Sequence, residues 1–447
     1  MSDTAPYANT GKTDPRALYS KLTRRLIPYM FLLYIVAYLD RVNVGFAAMD
    51  MKRDLHLSAT VYGTGAGIFF LGSSLFDLPS NLMLARVGAR LWIARIMLAW
   101  GMVAALMMFV RGPWSFYALR FLLGVSEAGF FPGMILYLTY WFPSRERARA
   151  VAKFMTATSI AGVVGAPLSS VLLKLDGRAG LHGWQWLFLL ESVPAVLLGA
   201  SVLRLLRDNP EDAAWLSTEE KRWLGQELER DRQSNGATEH QSLRDGLRLP
   251  FVWRLAAICF VSQVAVYVVN LWMPLILSNL VGPGRAAAAQ GSSLIARYST
   301  LPYLAAASFT VIVGWSSDRT GERRWHIAGC LLLSALGFVL AAGAHSVAPA
   351  LGAMTLAAMG VWSMMGPFWT TVTRGLGGAA AAGGVALIQI VAGLGGFVGP
   401  YLTGRLRDAT GSFGPGLLAV SGLALLAAAL VAVMRLTPEA KAPLPLR

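Results

Sequence analysis

Four ionisable residues sit in stretches that are otherwise almost wholly apolar. LRFLLGVSEAGFFPG (residues 119–133) carries Arg120 and Glu127, and YIVAYLDRVNVGF (residues 34–46) carries Asp40 and Arg41. A spacing of seven puts Arg120 and Glu127 on one helix face, two turns apart. Inside a bilayer each charge costs roughly 2.5–3.5 kcal/mol at the helix centre on insertion scales. Such groups persist where they face one another or a water-filled cavity. A carboxyl there is pushed toward its neutral form by desolvation and back toward the anion by a nearby arginine. That competition is the chemistry of a proton switch, and an arginine released from it can receive a substrate carboxylate.

Geometry separates the roles further. Tyr34, Tyr38 and Arg41 fall at i, i+4 and i+7 and share a face that can line a cavity. Asp40 points about 100° away from Arg41, toward a neighbouring helix, which is expected to be the one carrying Glu127. Glu127 lies roughly 18 Å along its helix at 1.5 Å per residue, near the midplane, whereas Arg120 is only some 8 Å in.

The elements that position these residues are hydrophobic helices. Of 447 residues, 55% are hydrophobic and 14% charged, against about 25% charged in a typical soluble domain. About twelve apolar runs are long enough for a ~30 Å hydrocarbon core, near 26–48, 59–84, 91–110, 115–139, 150–173, 185–206, 251–278, 290–315, 326–345, 348–372, 382–405 and 413–435. The fold class is therefore an all-α membrane protein. The net charge of +15 is spread through short loops, as orientation in a membrane requires, so no nucleic-acid surface is expected. The PSRERARA and SDRTGERR loops place both termini in the cytoplasm of a multi-pass inner-membrane protein. Cys259 and Cys330 suggest no disulfide, and the five histidines show no metal-ligand or catalytic spacing. No cofactor is expected, and an enzyme or receptor is disfavoured.

Residues 207–250 form the one long polar break, in which Ser217 and Glu220 fit a capping box that opens an amphipathic helix. The expected organisation is a tail (1–25), a six-helix half (26–206), a cytoplasmic linker (207–250), a second half (251–435) and a tail (436–447). The halves repeat. Arg86, Gly88 and Arg90 stand at a constant offset from Arg319, Gly321 and Arg323, and Gly165 and Pro167 relate to Gly399 and Pro400 within one residue of it. Two pseudo-symmetric halves with a site between them are a transporter architecture. The acids break the symmetry, because Met273 and Gly360 stand opposite Asp40 and Glu127; proton chemistry is assigned to the first half.

The motifs YLDRVNVGFA, IFFLG followed by LPSNLMLARVGAR, LRFLLGVSEAGFFPG, YWFPSRERARA, SDRTGERRWH, GPFWT and GGFVGPYLTG occur in this order. In them the chain resembles the major facilitator superfamily, and within it the anion:cation symporter family of bacterial sugar-acid, tartrate and phthalate-type transporters. The resemblance implies that Asp40 and Glu127 titrate the coupled protons, that Arg41 and Arg120 are intramembrane arginines, and that Tyr38 faces substrate. It also shows departures: Ala85 in place of an acid, Ser73 of an aromatic, Gln389 of an asparagine, and Arg297 and Arg374 where small or apolar residues are expected.

In the second half Asn270, Trp272, Trp369, Thr370 and Gln389 are candidates for substrate contact, and Arg297 would favour a second carboxylate if it faced the cavity. Arg86, Asp318 and Arg319 are read as gating charges at the cytoplasmic ends, Asp77 as gating or interfacial, and Glu191 as structural. The expected function is proton-coupled uptake of a small organic anion by a protein for which a monomer suffices, with an exchanger or proton-linked exporter as the alternative. Its partners are the anion, protons and the lipid bilayer.

Overall fold

A computed structural model describes residues 14–236, 248–281, 298–375 and 378–434, and these are almost entirely helical. The first half contains α1 (Pro15–Asp54), α2 (Ala59–Val87), α3 (Ala89–Leu106), α4 (Pro113–Glu127), α5 (Phe130–Thr139), α6 (Ser144–Leu173) and α7 (Gly183–Leu205). A polar helix, α8 (Thr218–Gly236), follows. The second half contains α9 (Pro250–Val281), α10 (Thr300–Thr320), α11 (Arg324–Ala342), α12 (Val347–Ser363), α13 (Met365–Gly375), α14 (Gly378–Thr410) and α15 (Gly414–Val433). Taking α4 with α5 and α12 with α13 as single crossings gives six spans on each side of α8. Among the described residues ten spans qualify on length and hydropathy alone. The other two are α6, whose first turns are rich in arginine, and α10.

Two expectations about helix limits need correction. The first helix runs past its apolar stretch, to Pro15 at one end of α1 and to Asp54 at the other. Hydropathy cannot register the turns that protrude into water, which are held instead by caps such as Asp14, whose carboxylate accepts from Arg16 N at 2.9 Å. The fourth and tenth runs, read as continuous, are each broken: one at Ala128–Gly129, where Gly129 adopts φ +80°, the other at Met364. The breaks fall at nearly equivalent places in the two halves.

The helix α8 docks on the first half. Ser217 and Glu220 form the reciprocal capping box, Lys21 Nζ donates to Glu220 at 2.7 Å, and Trp215 stacks on Trp141 with centroids 5.7 Å apart. This fixes a linker end of the molecule, to which the start of α1 also belongs, and a far end opposite it.

The two ends are packed differently. At the far end one apolar core runs through both halves, joining the first half to Val264–Leu277 of α9, Tyr303, Phe338, Val361 and Leu417. At the linker end the second half keeps a core of its own, built from Val252, Leu255, Leu331, Phe368, Val372, Ile388 and Val431. Backbones nearly touch across the far end: a Cβ on Gly45 would collide with Asn270 O, and one on Gly63 with Pro400 O. Asp408 of α14 caps α2, accepting from Ala59 N at 3.0 Å and Thr60 N at 2.7 Å. Arg407 Nη2 donates to Asn279 Oδ1 at 3.2 Å. The molecule is closed at the far end and divided at the linker end.

That closure is the basis of a direct test. Gly45→Val would wedge α1 from α9 at a cost of about 1–3 kcal/mol, the usual range for overpacking, roughly a tenfold or greater loss of the closed population. A cysteine placed at Ser278 is expected to gain reactivity toward an impermeant thiol reagent in that background.

Candidate functional site

The break in the fourth span explains how a carboxyl comes to sit deep in the bundle. A helix end leaves backbone groups without partners, and here α2 supplies them. Asp77 Oδ1 accepts from Gly129 N at 2.6 Å, and Ser80 Oγ donates to Ala128 O at 2.6 Å while accepting from Trp92 Nε1 at 2.9 Å. Asp77 is thus a cap for α5. Glu127, the last residue of α4, is held at the break.

Glu127 Oε1 accepts from Arg41 Nη2 in a short ion pair between α4 and α1. The Arg41 side chain is 18% exposed and that of Glu127 only 1%, so a solute entering the bundle meets the arginine first. Phe69 of α2 lies under both arginines, 5.8 Å from Arg41 Cζ and 4.9 Å from Arg120 Cζ, within cation–π range. Among the described residues Arg41 Nε and Glu127 Oε2 have no hydrogen-bond partner, which leaves polar capacity in the pair unspent.

Arg120 is placed differently from its expected role. It is fully buried, with Nε donating to Gly65 O at 3.3 Å and Nη2 to Ala66 O at 3.1 Å. It is clasped by the backbone of α2 and bears on the acids through its charge rather than by contact. Asp40 is also placed differently. Its neighbour is α3 and not the helix carrying Glu127: Oδ2 accepts from Trp100 Nε1 at 2.7 Å, and Oδ1 from Asn43 Nδ2 at 3.0 Å. The direction followed from helix periodicity, but the identity of the facing helix is a matter of bundle topology.

Tyr34 and Tyr38 are buried on the Arg41 face of α1. Tyr34 packs on Phe154 and Phe131, with centroids 4.9 and 5.6 Å away. Tyr38 lies within hydrogen-bonding reach of Asn270 of α9 and Trp362 of α12. Asn270 Oδ1 accepts from Tyr303 OH at 2.8 Å, which leaves its Nδ2 turned to Tyr38 among the described residues, and Tyr303 meets Trp362 edge-on at 5.6 Å. Tyr267, within hydrogen-bonding reach of Arg41, packs on Phe70 at 3.9 Å. Tyr267, Tyr303 and Trp362 were missed from the sequence. Tyr267 stands one turn before Asn270, a spacing that could have revealed it; the other two carry no such signal.

Trp272 does not line this space. It is fully buried in the far-end closure, edge-on to Tyr62 at 5.1 Å and 5.5 Å from Phe413, because it sits two residues beyond Asn270 on the opposite face of α9. Trp369 is half-buried against Phe368 at 5.5 Å. Thr370 Oγ1 donates to Gly366 O of its own helix at 2.9 Å, and Gln389 is exposed on α14. Arg297 and the side chain of Arg374 lie outside the described residues. Of the gating charges, Arg86 is exposed, Asp318 accepts from Arg323 Nη2 at 2.8 Å within its own turn, and Arg319 lies over Trp315 at 5.3 Å. These partners of Asp318 and Arg319 lie within one half, as expected where the linker end is open.

The sequence profile of the Major Facilitator Superfamily matches residues 30–400. The chain belongs to this superfamily. It is 46% identical over 420 residues to a provisionally named tartrate transporter of Agrobacterium vitis, covering 94% of this chain and 95% of that one. It is 40% identical to a quinolone resistance transporter of Acinetobacter baumannii, with 90% and 91% covered. Among solved structures, a bacterial homologue of the human lysosomal transporter Spinster, inward-facing and unoccupied, matches with a TM-score of 0.73 at 17% identity, over 94% of this chain and 97% of that one. The protein is a multi-pass membrane transporter with the major facilitator fold, as the seven motifs implied, and not an enzyme.

The cap at the helix break yields a measurable expectation. Asp77→Ala should cost on the order of 1 kcal/mol, the usual loss for a cap residue, read as a lowered thermal midpoint of the detergent-solubilised transporter.

Proposed function

We propose that this transporter takes up a small organic anion with protons, by alternating access of one central site. The observation that carries the reading is the buried Arg41–Glu127 ion pair, set at the helix break between the two halves and walled by Tyr34, Tyr38, Tyr267 and Asn270. A cation already paired to a carboxylate is a carboxylate receptor whose availability depends on whether its partner is protonated. With the linker end taken as cytoplasmic, the structure corresponds to the inward-facing state.

In the outward-facing state Glu127 and Asp40 take up protons and Arg41 is released. The substrate carboxylate pairs with Arg41, and its hydroxyl or ring groups meet Tyr38 and Asn270, with Trp369, Thr370 and Gln389 approaching as the linker end closes. Neutralised charges cost less to enclose, so the loaded site can pass between states. On the inner side the protons leave, Glu127 reclaims Arg41, and the anion is expelled. Arg120 contributes positive potential from its clasp on α2. Arg86, Asp318 and Arg319 serve the inner gate when the halves meet there. The similarity to a tartrate transporter favours hydroxy and sugar acids or a tartrate-like dicarboxylate, with aromatic carboxylates as the other class of comparable shape. A single chain contains the whole site.

Counterflow in proteoliposomes against tartrate, hexonates and phthalate assigns the substrate class. Glu127→Gln is expected to abolish accumulation driven by an imposed pH gradient while exchange of substrate survives; accumulation by that variant would overturn the coupling role. Arg41→Ala is expected to lose about 2–5 kcal/mol of binding, as when one partner of a buried charge pair is truncated, or at least about 30-fold in affinity. An outward-directed reading is favoured by one observation, the similarity to a quinolone resistance transporter. Gradient-driven efflux from inside-out vesicles, without uptake in right-side-out ones, would decide for it.

A further inference from the structure

At the far-end closure a carboxylate of one half spends its oxygens on the other. Asp408 stands near the end of α14, and its Oδ1 and Oδ2 accept from Ala59 N and Thr60 N of α2, at 3.0 and 2.7 Å. The hydroxyls of Ser58 and Thr60 lie within hydrogen-bonding reach of the same carboxylate. Ser58 is the cap of α2 within its own chain segment, but its Oγ serves Val61 N, at 3.1 Å. The first two N–H groups of α2 are left for a partner from elsewhere, and the helix dipole favours an anion there.

Two cations flank this carboxylate from opposite sides of the seam. Lys52, near the end of α1, is half-buried and feels the charges of both Asp408 and Arg407. Arg407 is fixed within the second half, its Nη2 donating to Asn279 Oδ1 of α9 at 3.2 Å and its Cζ lying 5.0 Å from the centre of the Phe413 ring. Closing the far end thus brings Lys52 of the first half toward Arg407 of the second, like charges that repel. The negative charge of Asp408 offsets that repulsion. One turn before it the backbones meet, since a Cβ on Gly404 would collide with Ala59 O.

We infer that Asp408 is the latch of the far-end gate, holding the N-terminus of α2 and screening Lys52 from Arg407 only while that end is closed. The inference rests on the alternating-access reading given above, but not on proton coupling or on the identity of the substrate. Opening carries α14 away from α2, so Ala59 N and Thr60 N exchange Asp408 for water while Lys52 and Arg407 part. A bond made in one state and lost in the other sets the balance between them. Asp408 therefore governs how often the site opens on this side, and does so without touching the substrate.

The test uses the full chain carrying Ser278→Cys in lipid vesicles, without substrate or pH gradient, and follows the rate of reaction with an impermeant thiol reagent. Asp408→Ala and Asp408→Asn are each expected to raise that rate about fivefold, the population shift that a lost helix cap carries. Adding Lys52→Gln to Asp408→Asn removes the repulsion and is expected to bring the rate back toward that of the parent. Thr410→Ala, at the same end but bonded to Leu406 O of its own helix, is expected to leave it unchanged. In counterflow Asp408→Asn is expected to lower KM for substrate offered at the far end, because a larger share of the protein stands open there; damage to the fold would not lower it. Unchanged reaction rates in both Asp408 variants where Gly45→Val raises the rate, an equal rise in Thr410→Ala, or no reversal by Lys52→Gln would each overturn the inference. A rate that Gly45→Val also leaves unmoved would defeat the alternating-access reading itself.

Discussion

The Arg41–Glu127 ion pair is the interaction on which the arrangement turns. Two opposite charges in a low-dielectric interior are costly apart, and removing one partner of such a pair typically costs about 3–5 kcal/mol. The pair therefore ties α1 to the end of α4 for as long as both groups are charged. Anything that neutralises Glu127 or competes for Arg41 loosens that tie. In the proposed symport a substrate carboxylate and a proton are what would do these two things.

The rest of the bundle makes this local choice matter to the whole molecule. The break at Ala128–Gly129 sets Glu127 at a helix end, with Asp77 and Ser80 of α2 meeting the loose backbone groups. The same helix α2 holds Arg120 on its carbonyls and places Phe69 under both arginines. It is also the helix that α14 caps across the halves through Asp408. Charge, helix break and inter-half contact thus converge on one element. A continuous core at one end and separate cores at the other give the two halves a place to pivot and a place to part.

The polar groups sort into two layers around α1. On one face Tyr34, Tyr38 and Arg41 look toward α9 and the vestibule. On the other, Asp40 and Asn43 look toward Trp100, Ser169 and Glu191 within the first half. Adjacent residues of a helix, Asp40 and Arg41, therefore serve different compartments of the protein.

The sequence by itself determined the solvent, the number of crossings, the repeat and the short set of charges that had to find partners inside the bundle. Each follows from local chemistry: apolar length against bilayer thickness, or the cost of an ion in hydrocarbon. It also determined that Asp40 and Arg41 diverge, because helix periodicity alone fixes that angle. Only the tertiary structure decided which helix each one meets. Periodicity gives direction without distance, so Asp40 was directed at the Glu127 helix and meets Trp100, Trp272 fell into the far-end closure, and Arg120 turned to the carbonyls of α2. Tyr303 and Trp362 stand beside Asn270 and Tyr38 on helices with no charge to mark them, and Glu191 meets Ser169, distant in sequence and adjacent in space. Pairing between helices is set by packing of whole faces, which no single stretch of sequence contains.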